Sequence, residues 1–170
     1  MKNILLVTFI GLSFFTFAQN PAFKDFIGKD YSVFSEFESF SKFNDYGGLL
    51  LNHSFGKDTN EAFALYGYGD SLIVLFEKAY NPDHGMNARF ILLDAIQLND
   101  VNNKYFIQYG TCSFNGKDDV YIVALVKMNK NKAYYNQCKM AWKIDHLKHT
   151  FIEINPKMVK CLNEGYNVCE

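Results

Sequence analysis

The sequence predicts a mainly β protein of the α+β class, in which an N-terminal amphipathic helical segment packs on an antiparallel meander of seven to nine strands. Two observations support this class. Between Phe23 and Phe43, apolar residues recur every three or four positions, which is the period of a helix. From Leu49 onward, short runs rich in β-branched and aromatic residues alternate with turn sequences. The sheet is expected to be either open or curled into a barrel.

The predicted helical segment is defined by a phenylalanine-rich stripe. Gly47 and Gly48 are expected to end it. Its polar face carries acidic residues rather than the cations that an anionic membrane would attract, so we expect the stripe to lie on the sheet. The apolar positions of the stripe are Phe23, Phe26, Ile27, Tyr31, Phe34, Phe37 and Phe40.

Eight runs with strand character follow the two glycines. Turn sequences such as Tyr68-Gly69-Asp70 and Asn115-Gly116 separate them, and connections this short leave no room for parallel crossovers. The predicted strands cover residues 49–55, 61–69, 71–80, 88–98, 104–114, 119–128, 133–145 and 149–154.

The N-terminus has the pattern of a secretory signal peptide. Lys2 precedes a weakly polar to apolar run from Ile4 to Phe17, and Ala18 precedes the expected cleavage point. The run is shorter than the roughly 20 apolar residues of a membrane-spanning helix. The junction resembles the leaders of exported flavobacterial proteins, which implies a bacterial envelope. We therefore expect residues 1–18 to be a signal peptide and 19–170 to be a single exported domain, periplasmic or secreted.

The charge of the predicted mature chain is close to neutral. Without Lys2, 16 Lys and Arg residues stand against 18 Asp and Glu residues, a formal charge of −2. Nucleic acid and anionic membrane surfaces both select basic faces, so neither is expected as a partner, and no stable membrane anchor should remain after cleavage. Arg89 is the only arginine, which excludes a cluster of guanidinium groups for phosphate or carboxylate.

One hairpin can be placed in register from the sequence alone. Asn115-Gly116 is the strongest kind of two-residue turn signal. With these residues as the loop, Phe114 lies opposite Lys117 and Tyr109 lies opposite Ile122.

Four cysteines in an exported chain predict disulfide bonds. The same register, with Ala124 paired to Cys138, places Cys112 and Cys138 on opposite faces, so these two are not expected to bond. We expect Cys138 to pair with Cys161 and Cys112 with Cys169; a local bridge between the two tail cysteines is the alternative. No two cysteines have the spacing of a zinc clamp, and neither a metal nor another cofactor is expected.

The sequence offers few catalytic candidates. It contains no nucleophile elbow, no His-Glu-x-x-His motif, no phosphate loop and no dinucleotide fingerprint. Loop-borne His84, with Asp83 beside it, and His146 are the candidate acid or base residues of a hydrolase. Both segments also fit ordinary polar turns, which favours a protein without catalytic activity.

Aromatic residues are the remaining functional signal. Tyr66 and Tyr68 share one face of a predicted strand, and Tyr105 and Tyr109 share a face of another, so each pair is a candidate ligand surface. The sequence thus favours a non-catalytic binding module for a small apolar ligand, a glycan or a protein partner, with neutralisation of a toxin as one version. The alternative is the hydrolase with residues around His84 or His146.

Overall fold

The computed structural model describes residues 21–51, 59–80 and 88–166. The predicted signal peptide, residues 1–18, lies outside these ranges. The described residues form thirteen strands, more than the seven to nine expected, because two predicted runs divide at turns and three short strands form outside the predicted runs. The strands are β1 (Asp30–Tyr31), β2 (Asn44–Leu50), β3 (Thr59–Tyr68), β4 (Ser71–Tyr80), β5 (Arg89–Leu98), β6 (Tyr105–Tyr109), β7 (Cys112–Phe114), β8 (Lys117–Asp118), β9 (Ile122–Lys127), β10 (Tyr134–Tyr135), β11 (Cys138–Asp145), β12 (Thr150–Glu153) and β13 (Val159–Leu162).

The strands form three antiparallel sheets, which confirms the predicted mainly β, antiparallel class. The first sheet has the order β1-β5-β4-β3-β2, and its last four strands form a meander. The second sheet has the order β12-β11-β9-β6, and the third has the order β10-β13-β7-β8.

The N-terminal segment and the three sheets form four layers, with an apolar core between each layer and the next. The central core lies between the first and second sheets, where Phe63 and Phe76 meet Phe151. A second core fills the space between the other face of the first sheet and the N-terminal segment, residues 21–43. A third core lies between the second and third sheets. Strands β4 and β9 are therefore buried on both faces, which explains their nearly continuous apolar sequences.

Asp94 links the first sheet to the second across the central core. This residue of β5 is only 5% exposed. Its two carboxylate oxygens accept hydrogen bonds from different amides, that of Ala95 at 2.9 Å and that of Phe151 at 2.7 Å. Burial raises the pKa of Asp94, and the two amides oppose that rise.

The predicted N-terminal helix is wrong. Within the described part of this segment, the helical turns are of the 3-10 type and three residues long, at Pro21–Phe23, Phe34–Glu36 and Glu38–Phe40. Gly28, at φ +79°, turns the backbone so that its amide donates to the Leu92 carbonyl, and Asp30–Tyr31 then pairs with β5 as a strand. Successive short turns place the aromatic rings on the sheet, so the spacing of three and four arises without a continuous helix.

A fourth short 3-10 turn, Pro156–Met158, precedes β13. Throughout residues 21–51, 59–80 and 88–166, no helix has the length and apolar character needed to cross a membrane.

The predicted hairpin at Asn115-Gly116 is present. Both residues have positive φ, and Phe114 pairs with Lys117 as expected. The register further from the turn differs by one residue, because Tyr109 pairs with Val123 and not with Ile122. The chain leaves the second sheet between β6 and β7, so the two pairings belong to different ladders.

The predicted disulfide pairs are corrected by the structure. Cys112 bonds Cys161, with the sulfur atoms 2.08 Å apart, while Cys138 forms no disulfide with any described residue. The tail does not return beside Cys138; β13 pairs with β7 and sets Cys161 directly opposite Cys112. Cys169 lies outside the described residues. A disulfide is consistent with an oxidising extracellular compartment.

The expected separation of Cys112 and Cys138 onto opposite faces is also wrong. Cys138 pairs with Val126 and not with Ala124, but this shift of two residues leaves it on the expected face of the second sheet. Cys112 belongs to β7, which leaves the second sheet for the third, so both cysteines pack against the third core.

Candidate functional site

The candidate site is a pocket on the face of the first sheet that the N-terminal segment covers. Its volume is about 270 Å³, just below the roughly 300–1,000 Å³ that is usual for small-molecule sites. Residues from the N-terminal segment and from β2, β3, β4 and β5 line it. They are Ser32, Val33, Asp45, Gly47, Gly48, Leu49, Leu50, Ala62, Phe63, Ala64, Tyr66, Glu77, Ala79, Ala88 and Phe90.

Small side chains on the sheet leave the space for this pocket. In β3, Ala62 and Ala64 alternate on the face that turns toward the N-terminal segment. Across the ladder Ala62 pairs with Leu50, and Ala64 pairs with Gly48. Larger residues at these positions would fill the floor of the pocket.

A β-bulge shapes the edge of the pocket. The pairing of β2 with β3 shifts between Asp45 and Gly48, and Gly47 adopts φ +97°, a conformation that favours glycine. The Gly47 amide donates a 2.7 Å hydrogen bond to Oδ1 of Asp45. A residue with a side chain does not fit at Gly48, because its Cβ atom would lie 2.5 Å from the carbonyl oxygen of Phe63. The bulge therefore holds the Asp45 carboxylate at the pocket lining.

Glu77 is the buried ionisable group of the pocket. It is 2% exposed, and in the ladders it pairs with Ala62 on one side and Leu92 on the other. The hydroxyl group of Tyr31 donates a hydrogen bond to its Oε1. Burial raises the pKa of Glu77 to about 7; the hydrogen bond from Tyr31 opposes this rise, and the nearby Asp45 carboxylate adds to it.

Two tyrosines complete the polar surroundings of Glu77. Tyr31 is 1% exposed, and burial together with the charge of Glu77 raises its pKa, so it remains a neutral donor. Tyr66 is 5% exposed and pairs with Asp45 across the ladder; burial and the charges of Asp45 and Glu77 raise its pKa.

The pocket therefore combines apolar walls with hydrogen-bond acceptors. A carboxyl group that titrates near neutral pH either donates or accepts a hydrogen bond, depending on its protonation. Among the described residues that line the pocket there is no lysine, arginine or histidine. The described chain also contains no group of three or more His, Cys, Asp or Glu side chains arranged to hold a metal ion.

The four tyrosines singled out from the sequence do not form one surface. Tyr66 and Tyr68 face the N-terminal segment, where Tyr66 lines the pocket and Tyr68 is 52% exposed beside Phe43. Tyr105 and Tyr109 are half-buried against the central core, on the other side of the first sheet. A binding role for Tyr68, Tyr105 and Tyr109 stays a prediction.

Of the candidate acid and base residues of the hydrolase, His146 is the one that falls within the described residues, and it does not line the pocket. Asp83 and His84 are outside the described residues. His146 is exposed, and its ring contacts the Tyr121 ring edge-on at 4.3 Å. The Tyr121 hydroxyl donates to Glu61 at 2.6 Å. His146 therefore lies at a surface cluster away from the pocket lining.

Sequence reasoning missed Tyr31, Asp45 and Glu77 as site residues. A signal for Glu77 was present, because residues 73, 75, 77 and 79 share one face of a strand whose other members are apolar. A carboxylate on such a face marks a buried charge that needs a partner. That partner, Tyr31, belonged to the segment predicted to be helical, so the pattern did not reveal their contact.

No protein-family model, curated protein or solved structure matches the chain.

Proposed function

We propose that the protein is a non-catalytic binding module for a small, largely apolar ligand, which occupies the pocket around Glu77. The observation that carries this proposal is the burial of one ionisable carboxyl group, Glu77, in a cavity whose walls are largely apolar. Few precisely placed polar groups among apolar walls are the usual composition of a small-molecule site. A buried group with a perturbed pKa in a cavity is a further mark of such sites.

The walls support the apolar character of the ligand. Val33, Leu50 and Phe90 supply aliphatic and aromatic surface. Release of water from such surfaces favours an apolar ligand body by about 25 cal/mol for each Å² buried.

The polar groups would fix the orientation of the ligand. Glu77 and Tyr31 are hydrogen-bonded to each other within the packed second core, so they are held in place before a ligand arrives. Pre-organised groups of this kind reduce the entropic cost of binding.

Recovery of the natural ligand tests the proposal. The purified protein is incubated with an extract of its native cell envelope and medium, re-isolated and denatured, and the released small molecules are identified by mass spectrometry. The test variant is Ala64→Leu, which places a larger side chain on the pocket floor; Ala62→Leu is a second variant of the same design. The matched control is Ala133→Leu, a half-buried position near the third sheet.

We expect a compound that is enriched on the wild type and on Ala133→Leu but not on the two pocket variants, all four proteins having the same circular dichroism spectrum. Identical sets of released compounds from all four proteins would overturn the proposal. If both pocket variants fail to fold, a competition experiment takes their place. The neutral aromatic compound 2-phenylethanol should then displace the recovered compound from the wild type, and a lack of competition would overturn the proposal.

A further inference from the structure

We propose that the ligand of this pocket is an apolar amine, whose ammonium group binds between the carboxylates of Glu77 and Asp45. This inference rests on the proposed function and specifies the chemical class of the ligand. It follows from the sign of the charges around the cavity, from the free hydrogen-bonding capacity of its inner groups and from the nature of its walls.

The charges that line the pocket are all of one sign. Asp45 and Glu77 are its only charged residues among the described lining. Arg89 contacts the lining residue Ser32 through Nη1, at 3.1 Å, but its Nε donates to Oδ1 of Asp30 at 2.7 Å, so its charge is already paired. An anionic ligand would meet two carboxylates without a compensating cation, whereas an ammonium group would compensate both.

The inner groups of the site offer acceptors for N–H donors. Tyr31, which does not itself line the pocket, donates its hydroxyl proton to Oε1 of Glu77. The second carboxylate oxygen of Glu77 provides further acceptor capacity. An ammonium group carries up to three N–H donors, so it matches these acceptors better than a hydroxyl group with one.

An unpaired acceptor on the same face of β3 adds an independent observation. Asn60 is 4% exposed, and its Oδ1 is buried without a hydrogen-bond partner. Asn60 pairs with Ala79, which lines the pocket, and it shares a strand face with Ala62. Buried acceptors without a partner are rare in folded proteins. Asn60 is not among the residues that line the pocket, but the sheet face beside the pocket has an excess of acceptors over donors.

The walls suit the remainder of an amine. Tyr66 and Phe90 present aromatic surface to the cavity. Aromatic faces attract cations as well as apolar groups, so an aryl or alkyl body next to an ammonium is compatible with both.

Binding of an amine must be coupled to the ionisation of Glu77. A buried ammonium next to a neutral carboxyl group would lack its counter-charge, which is unfavourable in an apolar site. Where Glu77 is protonated in the free protein, its proton therefore passes to the buffer as the ammonium binds. The titratable groups that face Glu77 are Tyr31 from β1, Asp45 from β2 and Tyr66 from β3; its neighbour on β5, Leu92, carries no charge.

Calorimetric titration with three probes of matched shape tests the inference. The probes are 2-phenylethylamine, 2-phenylethanol and phenylacetate, each titrated into the wild type and into Glu77→Gln at pH 5.5 and pH 8. We expect the amine to bind the wild type at least 10-fold more tightly than the alcohol at pH 8, with phenylacetate the weakest. The preference should shrink at pH 5.5, with proton release on binding, and it should fall below threefold in Glu77→Gln.

Binding of the alcohol distinguishes a failure of the amine inference from a failure of the proposed function. If the alcohol binds the wild type as tightly as the amine, or if Glu77→Gln retains the preference for the amine, the inference is overturned while the pocket remains a site for apolar ligands. If none of the three probes binds, the inference is overturned, and the extract experiment with Ala64→Leu decides the proposed function on its own. Glu153→Gln, an exposed position on β12, is the matched control and should leave all affinities unchanged.

Discussion

Tyr31 donates a buried hydrogen bond to Glu77 from a position 46 residues earlier in the chain. The bond joins the N-terminal segment to the middle of the first sheet, and it stabilises a carboxylate that is almost entirely removed from water. It thus couples the packing of the second core to the electrostatics of the pocket.

Replacement of Glu77 by Gln should change the dependence of stability on pH. The folded protein holds the Glu77 proton with a pKa of about 7, against 4.5 for the carboxyl group in water. Between these values the native state binds more protons than the unfolded chain, so this contribution to stability is complete below about pH 4.5 and is lost as the pH rises through 7. A difference of this size corresponds to about 3 kcal/mol.

The wild type should therefore lose up to about 3 kcal/mol of its free energy of unfolding between pH 4.5 and pH 8, whereas Glu77→Gln should not lose this contribution. The stability of the variant relative to the wild type should rise by that amount over the same range. Urea denaturation at several pH values measures it, with Glu153→Gln as the control. A difference that does not change with pH would show that Glu77 does not titrate in this range.

Replacement of Tyr31 by Phe removes the hydroxyl donor and retains the aromatic ring. At pH 8 we expect the free energy of unfolding to fall by about 1 to 3 kcal/mol, because the ionised Glu77 loses a buried hydrogen-bond partner. The loss should be smaller at pH 5, where Glu77 is protonated. Tyr134→Phe, at an exposed position, is the control, and equal losses in the two variants would contradict the contact.

Removal of the Cys112–Cys161 bond should destabilise the protein. The bridge closes a loop of 49 residues, for which the chain-entropy estimate is about 4 kcal/mol. We expect Cys112→Ser with Cys161→Ser to lose a large part of that amount in chemical denaturation. Cys138→Ser should lose far less, because its thiol makes one hydrogen bond, to the Met140 carbonyl. Non-reducing peptide mapping gives the connectivity, and a fragment that joins Cys112 to Cys138 would contradict the structure.

Replacement of Asp94 by Asn should weaken the contact between the first and second sheets. The two oxygens of Asp94 accept from the amides of Ala95 and Phe151, and an Asn side chain can offer an acceptor to only one of them. We expect a loss of about 1 to 3 kcal/mol in the free energy of unfolding. Gln97→Glu, an exchange of the same two functional groups on β5, is the control, and an unchanged midpoint for Asp94→Asn would contradict the bridge.

The sequence indicated the strands well because their signals are local. The apolar runs of β4 and β9 and the Asn115-Gly116 turn identify themselves through residue type and alternation alone. The disulfide was not predictable in the same way, because the transfer of β7 to the third sheet and the pairing of β13 with β7 decide which cysteines meet. Both are contacts between distant parts of the chain, which no local pattern records.

The candidate site was missed for a related reason. The stripe of phenylalanines has the spacing of a helix, but Gly28 and the pairing of Tyr31 with Phe90 commit this part of the chain to an extended strand. Tertiary packing here overrides the local period. The contact between Tyr31 and Glu77 exists only because of that choice, so no local pattern could have placed the two residues together.

The ionisation of Glu77, with and without an amine, tests the central claim most directly. Carbon-detected NMR of the Glu77 side-chain carboxyl carbon, assigned by its absence in Glu77→Gln, gives the pKa in the free protein and in the presence of 2-phenylethylamine. The account predicts a pKa near 7 in the free protein and a lower value with the amine, because the ammonium favours the ionised carboxylate. A free-protein pKa near 4.5, or a value that the amine leaves unchanged, would contradict it.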